Sequence, residues 1–249
     1  MDINVDTKLW QVRSNAGKNR HQTLEKQLEI QKQVEKLLEN KVVSTSKAEY
    51  YSQVHLTPKP LATKGEEPMQ VEEAKEERDV LKETSNFSSM LSKAWRFCND
   101  FRALNAVTEG IGWTIPRIPD MLQRLGNKKP KILGKFDLTN GYWQAPLAKS
   151  SRVFTAFITH MGVYEWNRAA MGLKGAGPWF QSIMASIVLV GLLYFICELY
   201  MDDVIVHAAT EEEFVKNLDS VLTALEFFNV TVNPDKPNWA LPKSSLLDT

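Results

Sequence analysis

Apolar positions along the 249-residue chain change period several times, and each change marks an expected element. From His21 to Asn40 they recur at Leu24, Leu28, Ile30, Val34, Leu37 and Leu38. That spacing predicts a helix with one broad buried face. Asn40 followed by Lys41-Val42-Val43 reads as a helix stop and a strand. Val54-His55-Leu56-Thr57 is a second short strand, ended by Pro58 and Pro60. Arg117 to Leu125 predicts a helix with Ile118, Met121, Leu122 and Leu125 on one face, and Ile132 to Phe136 predicts a strand. Val153 to Ile158 and Gly162 to Trp166 read as a strand pair turning at His160-Met161-Gly162. Thr210 with Glu213 three residues later is a capping box. It opens a helix carrying Phe214, Leu218, Val221, Leu222 and Leu225. Asn233-Pro234-Asp235 ends the strand after it.

The most apolar stretch, Ile183 to Ile196, has 14 residues and is interrupted by Glu198. It is too short for a bilayer span, so a buried helix running into a strand is expected. Residues 1–20 are polar and expected to be a flexible N-terminal segment. Residues 61–94 differ in kind, with acidic pairs, few apolar anchors and a serine-bearing tail. A disordered insertion is expected there.

Composition is that of a soluble globular protein of one large or two small domains. Net charge is zero, but its distribution is uneven. Residues 1–60 carry 10 Lys+Arg against 7 Asp+Glu, and residues 61–94 carry 5 against 8. The rest is balanced, so a nucleic-acid partner would have to be held by local patches. Cys98 and Cys197 make neither a disulfide framework nor a metal cluster. With no signal segment at the start, the expected location is intracellular and cytoplasmic. Helices and strands alternate without a Gly-rich phosphate loop, which argues against a P-loop or Rossmann enzyme.

Candidate chemistry lies in Tyr200-Met201-Asp202-Asp203, between the apolar runs Leu193–Cys197 and Val204–Val206. Two strands joined there put Met-Asp-Asp at a hairpin tip. Asp137 follows another strand, and side-by-side strands would bring Asp137 and Asp202 within a few Å. Such carboxylates suit two divalent ions about 3.5–4 Å apart, which stabilise both oxygens of an in-line phosphoryl displacement. Mg²⁺ favours carboxylates plus substrate phosphates over a closed protein cage. A solvated Asp-Asp turn is the bland alternative.

Six strings in order carry a resemblance. They are Trp95–Asn105, Phe136–Tyr142, Gly172–Ala176, Phe180-Gln181, Tyr200–Asp203 and Asn233–Lys236. Together they make the chain resemble the reverse transcriptase domain of Gypsy-type LTR retrotransposons over roughly residues 20–60 and 95–236. The resemblance implies an α+β fold, the fingers and palm of a right-handed polymerase, with the thumb missing. It implies an RNA-directed DNA polymerase with two Mg²⁺ ions, Mn²⁺ being an alternative. Its partners would be an RNA or DNA template with primer and deoxynucleoside triphosphates. By the same resemblance 21–136 would be mainly fingers, with the insertion at 61–94. Residues 137–236 would be mainly palm, with 153–170 returning to the fingers, and 237–249 a divergent tail.

Residue roles follow from the resemblance. Asp137 and Asp202 would be the main metal ligands, with Asp203 beside them and the Leu138 carbonyl completing one ion's shell. The Tyr142 ring would lie beneath the incoming sugar and exclude a 2′-hydroxyl. Arg96 would bind the triphosphate through its planar fork, with Lys59 as a second contact. Met171 and Gly172 would line the base-pair pocket, where glycine lets backbone approach closely. Arg102 would touch the template and Met201 the primer terminus. Gln181 would help hold the helix that follows, and Lys236 would be a general acid for the leaving pyrophosphate. The alternatives are core packing for Tyr142, a surface ion pair for Arg102 and a solvated turn for Lys236.

Four features depart from the family pattern: the 61–94 insertion, Ala170 in place of a proline, the order Gly177-Pro178, and the tail after Lys236. They keep a rival reading open, a catalytically inactive remnant acting at most as a nucleic-acid or protein binding module.

Overall fold

The computed structural model describes residues 1–58, 95–139, 141–233 and 238–241. The insertion 61–94, Lys59 and Lys236 lie outside the described residues. Two compact units divide the chain. One is Val5–Val107 with Ser151–Asn167; the other is Met1–Asn4, Thr108–Ser150 and Arg168–Thr249.

The first unit is built on a five-stranded sheet. Its strands are β1 (Val43–Thr45), β2 (Ser52–Pro58), β3 (Trp95–Asp100), β5 (Phe157–Thr159) and β6 (Gly162–Trp166), in the order β1-β6-β5-β2-β3. β2 and β3 are antiparallel, with Gln53 opposite Asp100 and Pro58 opposite Trp95. Ser52, Val54 and Leu56 alternate inward along β2, the period of a half-buried strand. Phe157 is fully buried, with the rings of Phe97, Tyr164 and Trp166 at 5.6, 5.8 and 6.0 Å. Helix Leu24–Glu39 spans the range expected, but only Ile30, Val34 and Leu37 of its apolar stripe are buried. Leu24 and Leu28 are exposed.

Residues 1–20 are a correction. Their side chains are mostly polar, but their backbone and caps are tied down. Asp6 caps helix Thr7–Trp10 by accepting from the amides of Lys8 and Leu9. Its own amide reaches the Val107 carbonyl at 3.0 Å, and Trp10 is 2% exposed. Tyr51 donates its amide to Asn15 and its hydroxyl to the Gly17 carbonyl, both at 2.8 Å. Val153–Thr155 is also corrected, from strand to a 3₁₀ turn. There the buried Thr155 hydroxyl accepts from the Trp166 amide and donates to the Arg152 carbonyl. Short apolar runs do not distinguish the two outcomes.

The second unit carries a four-stranded sheet. Its strands are β4 (Ile132–Asp137), β7 (Cys197–Tyr200), β8 (Asp203–Ala208) and β9 (Asn238–Leu241), in the order β7-β8-β4-β9. The central pair, β4 and β8, is antiparallel from Ile132 opposite Ala208 to Asp137 opposite Asp203. Phe136, Val204 and Val206 are fully buried. Met121 and Leu125 of helix Ile118–Lys128 pack with Leu133 and Ile205, while Ile118 and Leu122 stay exposed. Helix Glu211–Phe227 buries Phe214, Asn217, Val221 and Leu225. Its cap is the expected Thr210, which accepts from the Glu213 amide at 3.2 Å.

Three boundaries differ from expectation. Thr108 to Phe136 groups with the four-stranded unit rather than with the residues before it. Asn238–Leu241, assigned to a divergent tail, is a strand paired with β4 through Leu133–Leu241 and Lys135–Asn238. Between Ile183 and Ile196 the helix ends early and does not run directly into the strand. Helix Ala176–Ile183 continues as a π-helical turn, Met184–Val188, and turns then lead to β7. Gly191 and Tyr194 adopt positive φ there, and Val190 and Phe195 face solvent. Among the described residues no helix is long and apolar enough to cross a membrane.

Candidate active site on the β7–β8 hairpin

β7 and β8 are joined by the two-residue loop Met201-Asp202, closed by the pairing of Tyr200 with Asp203. Met201 takes a φ of 58°, a left-handed conformation that disfavours side chains. Three contacts hold it there. Gln181, buried in helix Ala176–Ile183, accepts the Met201 amide at 2.8 Å and donates to the Leu199 carbonyl at 3.2 Å. The Tyr142 hydroxyl donates to the Met201 sulfur at 3.1 Å. A Cβ on Gly177 would stand 3.3 Å from that sulfur, so the Gly177-Pro178 order leaves room for Met201.

The same tip is fastened to β4 and beyond. Leu138 donates its amide to the Asp202 carbonyl at 3.0 Å. On the other side of Asp137 and Leu138, the Asn233 amide reaches the Asp137 carbonyl at 2.9 Å, and Leu138 bridges Val232. Gln144 clamps this segment. Its amide nitrogen donates to the carbonyls of Thr139 and Thr231 at 2.7 and 2.9 Å, and its oxygen accepts the Thr231 amide at 2.7 Å. Gly141 is the closest approach, since a Cβ there would lie 3.2 Å from the Asp202 Cβ and 3.5 Å from Phe180.

The acidic groups do not share one environment. Asp137 and Asp203 face each other across the β4–β8 ladder. The Asp137 carboxyl hydrogen-bonds Asp203, and this, with burial and the negative charge of Asp203, pushes its pKa up to about 6. Asp202 adds to the rise and Lys135 opposes it. Lys135 places its ammonium 2.9 Å from the Asp203 carboxylate. The Tyr142 phenol is raised by burial and then by the charge of Asp202, and its ring packs edge-on to Phe180 at 5.6 Å.

The four-stranded unit therefore collects Asp137, Leu138, Tyr142, Met201, Asp202 and Asp203. Met171 and Gly172 form an exposed turn in the same unit, with Gly172 at a φ of 87°. Arg96 and Arg102 belong to the five-stranded unit. Arg96 is exposed on β3, opposite Thr57. Arg102 is engaged in a two-pronged ion pair with Asp100, both bonds at 2.7 Å, which holds the Asp100 carboxyl down to about 2.

Among the described residues no three His, Cys, Asp or Glu side chains converge into a cage for a metal ion. The donor chemistry nonetheless fits Mg²⁺, which takes one or two carboxylates and draws its remaining ligands from water and phosphate. A carboxyl raised by crowding with other carboxyls, as Asp137 is, gains most from a cation. Sequence reasoning missed Lys135, Gln144 and the clamp made by Gln181. Lys135 had a usable signal, since it lies two residues before Asp137 on the same face of a strand.

The description "Reverse transcriptase (RNA-dependent DNA polymerase)" belongs to the family matching residues 80–246. The retrovirus-related Pol polyprotein from transposon 412 of Drosophila melanogaster is 32% identical over 219 residues, 88% of this chain and 15% of that protein. Its counterpart from transposon gypsy of the same organism is 36% identical over 144 residues, 58% of this chain and 14% of that protein. The chain thus spans less than a fifth of these Drosophila polyproteins. Among solved structures, the foamy viral protease-reverse transcriptase in complex with RNA/DNA hybrid aligns at a TM-score of 0.72 and 22% identity, over 95% of this chain and 27% of that one. The same enzyme with double-stranded DNA aligns at 0.65 and 19%, over 92% and 34%. The fold is that of polymerase fingers and palm, and the chain belongs to the reverse transcriptase family.

Proposed function

We propose that this chain is the polymerase part of a retroelement polyprotein and performs RNA-directed DNA synthesis. It would add deoxynucleotides to a primer 3′-hydroxyl on an RNA or DNA template. The observation that carries the reading is the placement of Asp137 opposite Asp203, with Asp202 on the tip between β7 and β8. Two Mg²⁺ ions, bound by Asp137 and Asp202 with the Leu138 carbonyl, would activate the hydroxyl and neutralise the triphosphate.

The protein's own contribution is position and charge. Gln181 and Tyr142 fix Met201 and hence the direction of Asp202. Tyr142 presents its ring beside Asp202, where it would restrict the sugar. Met171 and Gly172 would line the base pair, Arg96 and Lys59 would hold phosphates, Arg102 the template, and Lys236 would protonate the leaving pyrophosphate. Contact with template would require Arg102 to exchange its Asp100 partner for phosphate. The rival, a catalytically inactive remnant, draws on the altered prolines and the tail after Lys236; the three carboxylates Asp137, Asp202 and Asp203 weigh against it.

The test is extension of a labelled DNA primer on an RNA template by the purified chain with Mg²⁺. Asp202→Asn should lower the rate by at least ~10²–10³-fold, the scale of losing one electrostatic stabiliser. Extension by Asp202→Asn at the wild-type rate would remove the site assignment, and no extension by the wild type would favour the remnant.

A further inference from the structure

The acidic tip has a resident cation. Lys135 leaves β4 opposite Ile205, and its ammonium reaches diagonally along β8 to Asp203, 2.9 Å away. Diagonal partners on adjacent strands are within reach of a long side chain. Lys135 and Asp137 are two residues apart on one strand and so share a face. Both ends of the pair are about one-third exposed, 38% for Lys135 and 31% for Asp203. The ammonium is thus desolvated on one side and remains open to exchange.

We propose that Lys135 is a positioning residue that neutralises Asp203, keeps it out of the metal-binding set, and sets the affinity of Asp137 and Asp202 for divalent ions. The inference rests on the metal site under Proposed function and says how that site is tuned. Asp137 at the end of β4 and Asp202 and Asp203 on the adjoining hairpin repel each other in the absence of metal. A lysine bound to one of them lets the tip fold before an ion arrives. The same positive charge opposes any ion that then approaches, so it weakens metal binding. It also accounts for the division of the acids. Asp203 has a protein cation, and Asp137 and Asp202 are left to substrate-borne metal. The point charge and its reach are what matter, so arginine should substitute where a neutral side chain of similar length should not.

The test uses Mn²⁺ alone, titrated into the wild-type chain, Lys135→Met and Lys135→Arg, with free Mn²⁺ read by electron paramagnetic resonance. Lys135→Met should bind Mn²⁺ roughly three- to tenfold more tightly, the scale of one unit charge at a partly solvated site. Lys135→Arg should bind as the wild type does. Without metal, the melting temperature of Lys135→Met should fall below that of the wild type, and saturating Mn²⁺ should close the gap. Unchanged or weaker Mn²⁺ binding by Lys135→Met, with the wild type binding normally, overturns this inference and leaves the metal site standing. Absence of Mn²⁺ binding in all three chains overturns the metal site and this inference together.

Discussion

Gln181 bridges the two peptide groups that flank Tyr200, and so holds Met201. Its side-chain oxygen accepts the Met201 amide, and its nitrogen donates to the Leu199 carbonyl two residues earlier. One buried amide thereby fixes the left-handed residue on which the direction of Asp202 depends. Gln181→Met removes both bonds at similar volume and leaves the Met201 amide and Leu199 carbonyl without their partner. A loss of about 1–3 kcal/mol is expected, the cost of an unsatisfied buried group. Chemical denaturation measures it, and primer extension should fall in parallel because Asp202 loses its fixed direction.

Gly141 and Gly177 should respond differently to the same change. A Cβ on Gly141 meets the Asp202 Cβ at 3.2 Å and the Phe180 ring at 3.5 Å, neither of which is a flexible end. A Cβ on Gly177 meets the sulfur of Met201, which is adaptable. Gly141→Ala should therefore reduce kcat more than Gly177→Ala, with small changes in Tm for both. Equal effects on extension would mean that Asp202 is less closely confined than these distances indicate.

The Asp137 carboxyl sets a pH dependence. Its pKa is raised from an ordinary 3.8 to about 6 in the folded chain. Between those values the folded state keeps a proton that the unfolded state has released, so stability falls as pH rises. The contribution is full below the unfolded pKa and lost above about 6. Metal-free Tm measured from pH 4 to pH 7 should show this decline, and Asp137→Asn should flatten it. Mg²⁺ should offset the loss at the upper end, where Asp137 has released its proton.

Tyr142 lies between Phe180, Met201 and the charge of Asp202. Tyr142→Ala should raise ribonucleotide incorporation relative to deoxyribonucleotide, measured as the ratio of kcat/KM on one template. Tyr142→Phe keeps the ring and loses only the bond to the Met201 sulfur. It should preserve sugar selectivity while lowering the overall rate. Unchanged selectivity in Tyr142→Ala would make the ring a packing element.

The hairpin was legible because two apolar runs flank a polar tetrapeptide, a pattern that strand geometry converts directly into a turn. The partner of each acid was less accessible. A register shift of one residue decides whether Asp137 faces Asp202 or Asp203, and no local pattern encodes it. Glu198 illustrates the same limit. It interrupts an apolar run and is fully buried, because Arg124, 74 positions earlier, offers it a fork at 2.7–3.3 Å and stacks on Tyr194. The N-terminal residues were misjudged for a different reason. Their order comes from backbone hydrogen bonds to Val107 and Tyr51, which side-chain polarity does not report.

β9 has a consequence for any shortened form of this chain. Asn238–Leu241 occupies the outer hydrogen-bonding side of β4, the strand that carries Lys135 and Asp137. A truncation before Asn238 would strip that side and turn a central strand into a bare edge. Exposed edges of this kind recruit strands from other molecules. The practical signature would be self-association that grows with protein concentration, arising beside Asp137 and Asp203 although neither had been touched.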